Sequence, residues 1–484
     1  MKLSLILAFL LTFFIQLNLI AQNAHTKKKI RLVEKSLIGP VQSEVPNKWT
    51  IKERMAHYKI NGLSIAIVKD FKIEFVKGYG WSDEALKIPV TEKTLFQAGS
   101  VSKSLNAVAV LKLVQDKKLD LYEDINQYLT SWKFPYDSLA KNKKITVANL
   151  LSHTAGLNVS GFSGYTNNSK IPSIIQILDG KEPANSPAIR SVVEPNTRHE
   201  YSGGGTTISQ LIVMDATRQP YDEFLNENVL KPLGMTRSTF SQPSIHSDKL
   251  LHATGYDETG KEYQGKFHIY PEQAAAGLWT TPSDLAKFII EIQKAYQGKS
   301  NKILQPDMVK LMLTPHIDRQ AALGVFINDL NGVKYFGHSG LTYGFQSQYY
   351  GSFEDGNGVV IMTNSVNDGI IPEIVNSVAK VYQFKGLYRS KAEKTVTVDE
   401  VVLQSYTGQY VLTPEAILTV SKEGNQLYVQ LTGQEKIPVF SETENKFYLK
   451  VVDAQLEFIK DEKGKITKVI LNQDGGSNEA SRIK

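Results

Sequence analysis

Apolar and polar positions alternate in "GLSIAIVKDFKIEFVKGYGW", where Leu63, Ile65 and Ile67 interleave with Ser64, Ala66 and Val68. A period of two is that of a strand. Lys69-Asp70 can turn the chain before Ile73 to Tyr79 returns, so a hairpin is predicted. The period lengthens from about Ser100 to Gln115, where Leu105, Val108, Leu111 and Val114 share one face of a helix. Helices and loops mix from Asp120 to about Lys294. Thr281-Pro282-Ser283-Asp284 opens one of these helices, with proline in the first turn and an acid at the third position. "YFGHSG" from Tyr335 and "GVVIMTNS" from Gly358 are further strand candidates. Strands at both ends with helices between them predict an α+β domain around a mainly antiparallel sheet.

The pattern shifts at "KGLYRSKAEK", Lys385 to Lys394, which is polar and basic, and short strands follow. "AILTVSKEGNQLYVQL" turns at Glu423-Gly424-Asn425, and "LEFIKDEKGKITKVIL" turns around Asp461 to Gly464. This part reads as a small all-β domain with antiparallel strands, and it has no cluster of His, Asp or Glu suited to catalysis. The organisation predicted is a signal peptide at 1–21, a lead-in at 22–49, the α+β domain at 50–385, a linker at 386–394 and the β-domain at 395–484.

Composition narrows the class. The chain has 484 residues, 42% hydrophobic and 21% charged, which is globular and large enough for a sizeable core with an appendage. The net charge of +6, or +5 once Lys2 leaves with a leader, is a weak bias over this length. Lys27-Lys28-Lys29 and Lys141, Lys143 and Lys144 read as solvated faces, so no nucleic-acid partner is expected. The N-terminus "MKLSLILAFLLTFFIQLNLIAQNAH" sets one lysine before an apolar run from Leu3 to about Ile20, with Ala21 as a small cleavage-site residue. That is a secretory pattern. The run approaches the ~18–20 apolar residues of a bilayer span, but polar Thr12, Gln16 and Asn18 favour cleavage. Export to the periplasm, with no membrane span left after cleavage, is the expectation. With no cysteine, neither disulfides nor cysteine-linked lipid is possible.

The candidate chemistry lies in "FQAGSVSKSLNAVAVLKLV". A serine hydroxyl is a weak nucleophile until a neighbour takes its proton. The i, i+3 spacing of Ser100 and Lys103 sets both on one helical face. Gly99 allows a tight turn, and a helix N-terminus offers unpaired N–H groups to a developing oxyanion. Ser-x-x-Lys also occurs at Ser138/Lys141, Ser377/Lys380 and Ser481/Lys484, none at a glycine-led helix start. A lysine acts as a base only when burial or a nearby positive charge lowers its pKa, so partners are needed. "RHEYSGGGTT" offers Tyr201 before three glycines, and "FGHSGLTYGF" offers His338 at a strand end before Gly340.

With these residues the chain resembles the serine β-lactamase and penicillin-binding-protein family, in particular its class C-like branch of β-lactamases, D-Ala-D-Ala carboxypeptidases, D-aminopeptidases and esterases. The family's Ser-x-x-Lys, Tyr-x-Asn and Lys/His-x-Gly motifs correspond, in order, to Ser100/Lys103, Tyr201-Ser202-Gly203 and His338-Ser339-Gly340. "LLSHTAGL" from Leu150 and "AAGLWTTPSDLAKF" from Ala275 also look familial. The resemblance implies the family's α+β fold, with a helical subdomain beside the sheet. It implies Ser100 as nucleophile, Lys103 and Tyr201 sharing proton transfer, and the N–H groups of Ser100 and Leu341 as the oxyanion hole. It also implies a catalytic His338 on the sheet edge facing the substrate, helping to hold Tyr201's proton or the substrate's carboxylate, and Gly203, Ser339 and Gly340 against a small-molecule or peptide substrate, cell-wall fragments among them. Gly203 replaces an asparagine whose amide would contact a substrate's acyl-side amide. Together with His338 in place of lysine, this favours an esterase or D-amino-acid peptidase over a β-lactamase or penicillin-binding protein.

The rival nucleophile elbow G-x-S-x-G is nearly met by "GHSGL" and "EYSGG", but Leu341 and Glu200 break it, so Ser339 and Ser202 read as hydroxyls lining a pocket. His153 reads as a structural hydrogen-bonding residue. No H-x-H, HExxH or cysteine ligand set occurs, and "YSGGG" lacks dinucleotide-fingerprint spacing, so neither a metal nor any other cofactor is expected. The second functional class is a cell-wall binder or sensor that acylates without turnover.

Overall fold

The computed structural model describes residues 26–39, 41–42, 49–140, 143–242, 251–317, 320–330, 332–388, 391–392, 396–413, 416–434, 436–449, 454–473 and 476–483. The signal-peptide reading and Lys141 lie outside the described residues, as does part of the linker. Two compact units divide the described chain: 26–30, 52–371 and 384–386 form one, and 31–51, 372–383 and the residues from 387 onward form the other. The lead-in and the segment 372–383 thus group with the C-terminal part. They hold each other, with Ser377 Oγ donating to the Ser36 carbonyl at 2.9 Å.

In the first unit the sheet has seven antiparallel strands. In chain order they are β1 (Gly62–Lys69), β2 (Lys72–Asp83), β3 (Ile88–Pro89), β4 (Phe326–Leu330), β5 (Val333–Thr342), β6 (Phe345–Ser352) and β7 (Gly358–Thr363). Their order across the sheet is β3-β2-β1-β7-β6-β5-β4. β1 and β7 are central and buried on both faces, so the alternation in "LSIAIV" marks two covered faces, not one core face and one wet face. The predicted hairpin turns one residue later than Lys69-Asp70. Asp70 and Phe71 both have positive φ, at 52° and 61°, the two-residue turn geometry that matches strand twist.

Helix α1 (Ser102–Gln115) is buried on every side from Ser102 to Leu111, which corrects the one-face reading: it is the central helix of the core. Small residues such as Ser104, Ala107 and Ala109 let neighbours pack all round it. Helix α2 (Gly203–Thr217) lies against it, with Asn106 donating to Ser209 Oγ at 2.8 Å. Helix α3 (Pro282–Tyr296) starts as its sequence predicts, with the Thr281 hydroxyl accepting from the Asp284 N–H at 3.2 Å.

The C-terminal strands are β8 (Gly408–Thr413), β9 (Ala416–Glu423), β10 (Gln426–Leu431), β11 (Ile437–Ser441), β12 (Lys446–Leu449), β13 (Ala454–Lys460), β14 (Ile466–Gln473) and β15 (Gly476–Arg482). They close into an antiparallel barrel in sequence order, which leaves no open sheet edge. Tyr406 stacks on Phe458 inside, with ring centroids 4.3 Å apart. No helix among the described residues is long and apolar enough to cross a membrane.

Candidate active site

Ser100 lies in a 3-10 turn, Gly99–Val101, that runs directly into α1. The turn is tied down from below. Ser102 Oγ donates to the Gly99 carbonyl at 2.6 Å and accepts the Leu278 N–H at 3.0 Å. Gly99 has φ +51°, and a β-carbon on it would stand 2.8 Å from the Leu341 nitrogen and 2.9 Å from the Leu341 oxygen. Only glycine brings the two backbones this close. Gly340 does the same from the other side, since its β-carbon would meet the Ala98 oxygen at 2.0 Å.

One helical turn on, Lys103 is buried, and its Nζ lies 2.9 Å from Ser100 Oγ. The ammonium donates its other recorded hydrogen bond to the Ala275 carbonyl at 2.8 Å. Tyr201 covers it, with Nζ 5.1 Å from the ring centroid. Tyr201 is set by the start of α2, where Ser202 caps the helix by accepting from the Gly205 N–H at 2.9 Å. The Ser202 N–H donates to His153 Nδ1 at 3.1 Å, and the His153 ring lies 4.3 Å from that of Tyr201. Burial, then Lys103, holds the His153 pKa well below its usual value, so it backs Tyr201 as a neutral ring.

His338 faces this group from β5. β4 pairs with β5 only from Val333 to Gly337, so His338 to Thr342 have a strand on one side alone. His338 Nδ1 is 2.6 Å from the Ser339 carbonyl, which only accepts, so Nδ1 carries the proton and Nε2 is an acceptor. Nε2 is buried and without a protein partner. Burial, then the nearby Lys103 charge, pushes the His338 pKa down to about 3, outweighing the Ser339 hydrogen bond. His338 is therefore a neutral acceptor aimed at the site.

A cavity of about 900 Å³ joins Ser100, Lys103, Tyr201, His338, Ser339, Gly340 and Leu341. Two sequence readings are corrected. Ser202 lines no cavity, because its hydroxyl caps α2 and donates to the Asn158 carbonyl at 2.6 Å. Gly203 contributes no group to the wall; Ser160 and Phe162, which stand against it, do. Sequence reasoning also missed Phe326, whose ring lies 5.2 Å from His338 and 6.3 Å from Tyr201. Its one local signal is Gly324, where φ is +74° and a β-carbon would meet the Lys103 carbonyl oxygen at 2.8 Å.

Fold and site together define a serine hydrolase of the β-lactamase type, and the Beta-lactamase family model matches residues 48–370. The chain belongs to the Beta-lactamase family. A Domain of unknown function (DUF3471) matches residues 392–480, the barrel. Protein flp of Staphylococcus aureus (strain N315) is 28% identical over 330 residues, covering 65% of this chain and 62% of that protein. The chain thus matches less than two thirds of the length of that relative. Penicillin-binding protein 4* of Bacillus subtilis (strain 168) is 24% identical over 447 residues, 88% of this chain and 96% of its own. The octameric penicillin-binding protein homologue from Pyrococcus abyssi has the same fold, with a TM-score of 0.61 at 24% identity, covering 89% of this chain and 98% of its own.

Proposed function

We propose that this chain, a class C-like member of its family, cleaves an ester or amide through an acyl-enzyme on Ser100. The observation that carries the reading is the 2.9 Å approach of buried Lys103 Nζ to half-buried Ser100 Oγ in a cluster that also holds Tyr201 and His338. Ser100 Oγ adds to the substrate carbonyl carbon, and its proton passes to the Lys103–Tyr201 pair, which acts in the form that has first given up one proton to water, as the free amine or the phenolate. The carbonyl oxygen becomes an oxyanion between the N–H groups of Ser100 and Leu341. Collapse breaks the bond to the alcohol or amine, which leaves with the proton. Water then adds to the acyl carbon and releases the acid, regenerating Ser100. His338 Nε2 accepts a hydrogen bond from Tyr201 or from the substrate. The leader pattern supports action outside the cytoplasm. Gly203, in place of an amide side chain, supports an esterase or D-amino-acid peptidase over a β-lactamase.

The test is intact-mass spectrometry over time, wild type against Ser100→Ala, with p-nitrophenyl butyrate and with a penicillin. A transient butyryl adduct, absent from the variant, is expected. Hydrolysis by Ser100→Ala at the wild-type rate refutes the nucleophile. A long-lived penicillin adduct would make the chain a penicillin-binding peptidase, and fast penicillin turnover a β-lactamase. No adduct and no turnover would favour a binder.

A further inference from the structure

We infer that the site takes an uncharged substrate with an apolar acyl group, and that Phe162 is the residue that sets this preference. This deepens the hydrolase reading and rests on it. Among the described residues lining the cavity, Lys103 is the only one with a formal charge, and its ammonium already faces Ser100 Oγ and the Ala275 carbonyl. His338 is neutral, and Nε2 offers a lone pair where a carboxylate would bring its own. Gln346 directs one N–H of its amide to the Val366 carbonyl at 2.8 Å, and the other is a neutral donor. What remains for a substrate carboxylate is neutral donors such as the second Gln346 N–H, Ser339 and the partnerless Thr342 Oγ1, which give hydrogen bonds but no compensating charge. Carrying an ion from water into such a wall is unfavourable.

Phe162 supplies the second half. A β-carbon on Gly203 would meet the Phe162 ring at 3.2 Å and the Ser160 carbonyl oxygen at 3.0 Å. The ring therefore lies directly on the glycine, in the space that a side chain at 203 would need. At the position where the resembled motif carries an amide reaching for the substrate, this chain presents a benzene face. Tyr201, Tyr270, Phe326 and Tyr343 continue the aromatic wall. Such a wall gains from an apolar acyl group and gives nothing back to an amide that must leave water.

The experiment compares kcat/KM for four p-nitrophenyl esters on the full chain: butyryl, hemisuccinyl, phenylacetyl and phenylacetylglycyl, each corrected for its uncatalysed rate. Butyryl and hemisuccinyl differ chiefly by the carboxylate, and the neutral ester should lead by about a hundredfold or more. Phenylacetyl should lead phenylacetylglycyl by about tenfold. Phe162→Ala should cut the phenylacetyl-to-butyryl ratio about tenfold, and Phe162→Leu, which keeps an apolar filler if the alanine variant misfolds, should cut it less. A hemisuccinyl ester within threefold of butyryl, or a ratio untouched by both Phe162 variants, overturns the inference while leaving the hydrolase reading intact. Hydrolysis that persists in Ser100→Ala overturns the hydrolase reading itself, and this inference with it.

Discussion

The Leu341 nitrogen lies where a β-carbon on Gly99 would come within 2.8 Å of it, so two backbones from distant parts of the chain meet beside Ser100. The close neighbours of that β-carbon are Leu341 N, Leu341 O and the Gly340 carbonyl carbon, all main chain and unable to swing aside. Gly99→Ala must therefore push the Ser100 turn away from β5. Displacing reacting groups by about 1 Å costs on the order of a hundredfold. We expect kcat/KM for p-nitrophenyl butyrate to fall by about that factor, with a loss of stability of about 1–2 kcal/mol from the left-handed backbone. A variant with wild-type kcat/KM would detach the Gly99–Leu341 approach from catalysis.

Lys103→Met keeps the length and burial of the side chain but removes the group 2.9 Å from Ser100 Oγ. A positioned acid–base group contributes about 10²–10⁴-fold, so Ser100 acylation should slow by that range. The Ala275 carbonyl loses its recorded side-chain donor, costing about 1–3 kcal/mol, partly offset because no charge is then buried. Pre-steady-state acylation monitored by mass checks this. An unchanged acylation rate would remove Lys103 from the proton path.

His338 makes the acid side of the stability profile predictable. Its folded pKa is about 3, against about 6.5 in an unfolded chain. Below pH 6.5 the unfolded chain binds a proton that the folded protein refuses, so stability present above 6.5 is lost as pH falls towards 3. His338→Gln, which has no proton to bind, should lose less over that window. The gap between the two proteins should grow by roughly 1.4 kcal/mol per pH unit at most. His153 shifts in the same direction, with His338 among its causes, so the same titrations in a His153→Gln background separate the two rings. Denaturant titrations at pH 4, 5, 6 and 7 measure the gap. Parallel curves would mean that His338 is protonated or exposed in the folded chain.

The ordered motifs were legible because each joins a nucleophile, acid or glycine to a local backbone demand that a short stretch displays. Ser100 with Gly99, and Tyr201 before three glycines, are such stretches. Strand patterning also carried the hairpin and the C-terminal strands, since period-two alternation survives in single sequences. Closure of those strands into a barrel was not legible, because the pairing of Tyr410–Val411 with Ser481–Arg482 joins opposite ends of the domain. The wrapping of α1 was missed for a related reason. Its small residues look neutral in a hydrophobicity pattern, yet they are what lets neighbours close on every side. Phe162 and Phe326 were invisible as site residues because no motif spacing links them to Ser100. Only tertiary packing brings Phe162 and Phe326 to the cavity.

Glu272 supplies the alkaline counterpart to His338. It precedes the short helix Gln273–Ala276, whose Ala275 carbonyl holds Lys103. Its side chain is fully buried, and neither carboxyl oxygen has a hydrogen-bond partner in another residue, its own backbone N–H being the one donor near it. Burial raises its pKa from 4.5 to about 8, so the folded protein keeps it as the neutral acid at neutral pH. An unfolded chain ionises it from about pH 4.5 upward. The folded state therefore has its full advantage below 4.5 and loses it as pH rises towards 8. Glu272→Gln, neutral at every pH, should match wild type near pH 4.5 and exceed it at pH 8 by on the order of several kcal/mol, as one pKa unit is about 1.4 kcal/mol. The buried Tyr165 and Tyr270, whose phenols feel the Glu272 charge, stay protonated across this range, so the difference isolates one carboxyl. Melting temperatures of the two proteins at pH 5, 6, 7 and 8 would show it as curves that diverge with pH. Curves that stay parallel would mean that Glu272 is already ionised in the fold and has found water or a cation there.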